Sequence, residues 1–162
     1  MPEKHRLAAL LIMGAMGIAC MNAGAGTTSA EPYRTQLFNL LDRDAIDGKH
    51  YYQPGFAKQF DALLASSSLA RADKTRVPLK KRLLSGPAPE AALLADPATG
   101  RQWLVYDACQ AHRCDEISLR LLYDPAARRM VGKLNLDKQS EFLGVPSTDE
   151  QRLLRSASWG RP

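Results

Sequence analysis

The spacing of apolar residues changes along this chain. In the first half it runs at three to four positions; after residue 90 it alternates. Tyr33, Leu37, Leu40 and Leu41 share one face of a first helix, which Pro32 opens. Phe56, Phe60, Leu63 and Leu64 form an i, i+4, i+7, i+8 stripe that predicts a second helix after Gly55, and the serines at 66–68 end it. The stretch between them, DAIDGKHYYQPG, is rich in Asp, Gly and Pro and reads as a loop. Residues 69–91 have no clear period. They hold Arg71, Lys74, Arg76, Lys80, Lys81 and Arg82, with prolines at 78, 87 and 89, and predict a surface loop with a short strand near 79–84.

Strands follow. AALLAD (91–96) and RQWLVYDAC (101–109) flank PATG, a hairpin turn. EISLRLLYD (116–124) places Ile117, Leu119, Leu121 and Tyr123 on one side. After a turn at PAAR, RMVGKLNLD (129–137) puts Met130, Leu134 and Leu136 on one face. PSTDEQRLLRSA closes the pattern as a helix: Ser147 and Glu150 form a capping box, Leu153, Leu154 and Ala157 give an apolar side, and Gly160 stops it. The expected class is α+β, an antiparallel meander of three or four strands with helices packed on one side.

The N-terminus changes the picture. Lys4, His5 and Arg6 precede an apolar run from Leu7 to Cys20, too short to span a bilayer, and then small residues. Residues 1–30 therefore read as an export signal cut near Ala25 or Ala30, with 31–162 as a single exported domain. Membrane attachment enters only if Cys20 is a lipidated residue; Gly17 stands three positions before it, where Leu is usual. The formal charge is +5, and losing Glu3, Lys4 and Arg6 with the signal leaves +4. So small an excess does not call for nucleic acid.

Export also leaves two cysteines, Cys109 and Cys114, in CQAHRC. An even count in an oxidising compartment implies a disulfide. The C-x4-C spacing between strands is unlike the C-x-x-C at a helix start that thiol oxidoreductases use. Cys109, His112 and Cys114 fall one short of a structural zinc site, and Asp42, Asp44 and Asp47 lack EF-hand spacing, so neither metal nor cofactor is expected. No nucleophile elbow, zinc-protease or phosphate-loop motif occurs. What remains is a stapled turn. It is either a recognition element or a structural staple with an idle histidine.

YDACQAHRC, followed by an alternating strand, a turn and MVGKLNL, resembles the inhibitor of vertebrate lysozyme family, Ivy, which carries a C-K-P-H-D-C loop on an antiparallel sheet with helices. The similarity runs from about Phe56 to Ala157 and includes FLGVPSTDEQRLL. It implies a non-enzymatic periplasmic inhibitor of peptidoglycan-cleaving glycosidases, whose partner is a lysozyme or a lytic transglycosylase. It also implies that the Cys109–Cys114 loop drives His112 between the two catalytic carboxylates of the target, with Gln110, Ala111 and Arg113 flanking it. Gln110, Ala111 and Arg113 differ from the family's Lys, Pro and Asp; Arg113 reverses a charge and is expected to meet an acid in the target's cleft. Family members can form dimers, so a homodimer is one assembly the resemblance allows. Two other readings stay open: an envelope module that binds anionic polymers through segment 71–82, and a periplasmic enzyme of unrecognised type.

Overall fold

The computed structural model describes residues 29–156. Residues 1–28 of the expected signal segment, with Cys20 and Ala25, and the terminal Ala157 and Gly160 lie outside the described residues. A 3-10 turn at Glu31–Tyr33 leads to α1 (Leu37–Leu41), α2 (Gly48–Tyr51), α3 (Pro54–Ser66), α4 (Ser68–Ala72) and α5 (Leu79–Leu83). Strands β1 (Ala92–Ala95), β2 (Gln102–Cys109), β3 (Ile117–Asp124), β4 (Arg129–Leu136) and β5 (Gln139–Leu143) follow, and α6 (Thr148–Arg155) ends the described chain. All strands pair antiparallel in the order β1-β2-β3-β4-β5, the meander of an α+β fold.

Alternation along the strands decides which face meets which helices. Leu104, Tyr106, Ile117, Leu119, Leu121 and Leu134 point to one side and form a single core with Leu40 of α1, Phe56 and Phe60 of α3 and Leu83 of α5. Residues of the opposite parity, Trp103, Val105, Leu122 and Val131, pack on Leu153 and Leu154 of α6. Most helices thus share one side, and α6 adds cover on the other. Both capping-box bonds of α6 form, and the Glu150 carboxylate also takes a two-pronged bond from Arg129 of β4 at 2.6 and 2.7 Å. That fork ties the start of the helix to the sheet.

Several local expectations change: the expected loop DAIDGKHYYQPG holds α2, and the expected surface loop 69–91 begins within α4. Pro32 opens a 3-10 turn rather than α1, because the chain leaves helical geometry before Leu37: Gln36 is extended and bridges to Glu90, and the Ala91 amide donates to the Thr35 carbonyl. Segment 79–84 is helical instead of a strand. Leu79 and Leu83 are buried four residues apart while Lys81 between them is exposed, a spacing that fits one turn as well as it fits alternation. Strand β5 is additional. Its QSEFL offers little apolar alternation, since it is an edge strand with two exposed residues at its start.

Glu141 on β5 fixes α4 in place. Its carboxylate accepts from the Ser67 and Ser68 hydroxyls at 2.6 and 2.9 Å and from the Ser68 and Leu69 amides at 3.0 and 3.1 Å. Burial opposes the charge, yet these donors outweigh it and bring the pKa down to about 2. An unfolded Glu titrates near ~4.3, so this stabilisation is complete above about pH 5 and is lost as pH falls towards 2. Glu141→Gln should cost about 1 kcal/mol at pH 7, a value discounted for partial exposure. Urea unfolding should show the gap to the wild type shrinking between pH 5 and pH 2.5; an unchanged gap would rule this account out.

Candidate functional site

The expected loop sits where β2 turns into β3. Cys109 and Ser118 are the last paired residues, and the Gln110 amide donates to the Ile117 carbonyl at 3.0 Å just beyond them. Cys109 and Cys114 are disulfide-bonded, with Cα atoms 4.9 Å apart. Closing so short a ring stabilises by about 2 kcal/mol through lost unfolded-state entropy. Inside it the Arg113 amide donates to the Gln110 carbonyl at 3.0 Å, and the Arg113 carbonyl accepts from Glu116 and Ile117 at 3.1 and 2.8 Å. His112 stands at the bend with a φ of 63°. That is left-handed backbone, uncommon for a residue with a Cβ and less so for His than for bulkier types. Its side chain is exposed.

The base of the loop rests on α5 and the residues after it. The Gly86 amide donates to the Cys109 carbonyl at 2.9 Å, and the Ala111 amide donates to the Ser85 hydroxyl at 3.1 Å. Arg82, buried on α5, donates to the Gln110 side-chain carbonyl at 3.3 Å and is ion-paired with Asp73. Burial pushes the Asp73 carboxyl up, but bonds from the Thr75 amide and hydroxyl, with Arg82, outweigh it and hold the group below its usual range. Gly86 is required by this contact. A Cβ there would stand 2.5 Å from the Cys109 carbonyl oxygen and 2.8 Å from its sulfur.

Arg113 is engaged by its own chain. Its guanidinium donates to Glu116 at 2.6 Å and to Asp137, in the β4–β5 turn, at 2.7 Å. The arrangement has a plain electrostatic cause: two carboxylates of the chain itself stand where the cation can serve both. Gln110 is likewise turned to Arg82. Of the four loop residues, then, Gln110 and Arg113 hold the turn, Ala111 is half-buried against Ser85, and His112 is the exposed one.

Among the described residues no cluster of three or more His, Cys, Asp or Glu could hold a metal ion. In the basic segment, Arg71 bonds the Ala65 and Ser66 carbonyls, Lys80 pairs with Asp61 at 2.6 Å and Arg82 with Asp73, leaving Lys74, Arg76 and Lys81 exposed. Beside the loop lies a cleft of about 540 Å³ that Asp73, Lys74, Asp137 and Lys138 help to line. Both its carboxylates are paired with arginines of the chain, Asp73 with Arg82 and Asp137 with Arg113. The supports of the loop, Arg82, Ser85, Gly86 and Asp137, carry no motif; their role exists only through tertiary contact. Comparison with known protein families, curated proteins and solved structures finds no match to this chain.

Replacing Gly86 by Ala should push the Cys109 backbone off α5. The expected cost is about 1–3 kcal/mol in chemical denaturation, the usual range for a forced overlap. A variant as stable as the parent would mean that the loop base tolerates displacement.

Proposed function

We propose that the protein is a periplasmic inhibitor of lysozyme-type peptidoglycan glycosidases that inserts its disulfide-closed His112 loop into the active-site cleft. The observation that carries this reading is the exposure of His112 at a left-handed bend whose neighbours are all bound to the protein itself. The resemblance of the loop to the Ivy motif supplies the target class.

The physical argument is occupancy. Retaining glycosidases hold two carboxyl groups about 5–5.5 Å apart around the scissile bond. An imidazolium has a donor on each ring nitrogen, so one ring can address both groups. Such bonds are charge-assisted in a partly dry cleft, and the carboxylates favour the charged ring. A turn already fastened before binding loses little entropy on docking. No bond is made or broken, so the protein needs no cofactor and acts without catalysis of its own.

Charge favours some targets over others. A basic chain approaching a basic lysozyme of the animal type meets long-range repulsion, which slows association. A lytic transglycosylase of the cell, or a muramidase delivered by a competitor, fits better where its cleft rim is acidic.

Purified protein should inhibit at least one enzyme in a panel of lysozymes and lytic transglycosylases. His112→Asn, which tolerates left-handed backbone, should weaken that inhibition by about 30-fold or more with the fold retained. Thiol reduction should weaken it as well. Salt-dependent capture by lipopolysaccharide that is lost on neutralising Lys74, Arg76 and Lys81, with no inhibition of any enzyme, would instead mark an envelope-binding module. Product release from peptidoglycan by the protein alone would mark an enzyme.

A further inference from the structure

We propose that Arg113 is a positioning residue for His112, acting inside the protein rather than on the target, and that the β4–β5 turn carrying Asp137 belongs to the target-binding end of the molecule. The inference rests on the inhibitor reading and gives that site a second structural component.

The register of the sheet explains the arrangement. Ile117 of β3 is paired with Leu136 of β4. The next residues outward are Glu116 and Asp137, so two carboxylates sit side by side at the ends of neighbouring strands. Left alone they would repel. Arg113 bridges them, with Nε on Glu116 and Nη2 on Asp137. An acid at position 113 would instead gather three carboxylates at the base of the loop. The Asp137 end of the bridge is fixed by its own backbone, which takes a φ of 54° in the two-residue turn between β4 and β5.

Arg113 is fastened three times over. Its amide and its carbonyl are both used within the loop, and its guanidinium reaches a second hairpin 24 residues away. His112, the residue immediately before it, has the left-handed backbone and the exposed ring. The side-chain bridge therefore sets the lateral position of the bend, as Arg82 and Ser85 set it from the α5 side. The three bridging side chains are between 41 and 64 % exposed, and ion pairs of that kind are individually weak. They do little for the stability of a whole domain, but they bias a short loop whose alternatives differ by little.

A direct contact of Arg113 with the target makes the opposite forecast, and Asp137→Asn separates the two. If Arg113 positions the loop, losing its anchor weakens inhibition; if Arg113 seeks an acid on the target, releasing it leaves inhibition unchanged or strengthens it. The full chain, Arg113→Ala, Arg113→Lys and Asp137→Asn are compared by thermal midpoint, by 15N relaxation at the His112 amide and by inhibition of an enzyme that the wild type inhibits. The expected result is an unchanged midpoint and a lower His112 order parameter in the Ala and Asn variants. Inhibition should weaken about three- to tenfold, more for Ala than for Asn, with Lys between Ala and the wild type. Unchanged order in both variants, or unimpaired inhibition by Asp137→Asn, overturns the inference. If order falls as expected while the wild type inhibits no enzyme of the panel, the inhibitor reading fails and the hold of Arg113 on the loop stands.

Discussion

The contact between α5 and the base of the β2–β3 loop is the constraint on which the candidate site depends. A disulfide shortens the list of shapes the four enclosed residues can take, but does not choose among them. The choice comes from Gly86 lying against Cys109, Ser85 accepting the Ala111 amide, and Arg82 holding Gln110. Each of these lies more than twenty residues away in the chain. The core that places α5 there is the same one that buries Phe60 and Leu119. Loop geometry and fold are thus linked through one short helix.

Charge completes what packing begins. Asp73, Glu116 and Asp137 surround the loop with carboxylates, and Arg82 and Arg113 answer them. Arg82 is buried, so its pair with Asp73 offsets part of a desolvation cost; Arg113 is half-exposed, so its pairs steer rather than stabilise. His112 is left as the exposed member of a turn whose other residues are occupied at home.

Much of this architecture was legible in the sequence, for identifiable reasons. The alternation in β3 stands out because Ile117, Leu119, Leu121 and Tyr123 all face one deep core. The Ser147–Glu150 box is a local signal and gives α6 its start. Strand β5 left a faint trace because an edge strand has less to bury, and α5 was ambiguous because five residues can satisfy either period. The loop itself was visible through its cysteines. Its supports were not, since a buried arginine in a basic stretch looks like a solvated one until the chain is folded. The direction of Arg113 was hidden for a related reason: only the β3–β4 register brings Glu116 and Asp137 together.

The long-range backing of the loop bears on portability. A cyclic hexapeptide cut from positions 109–114 would keep the covalent ring and the imidazole, yet leave behind every group that selects its bend. A minimal mimic would need the surface offered by Arg82, Ser85 and Gly86, or a synthetic brace in its place. The loop is better described as a hairpin with its bedplate than as a detachable tip.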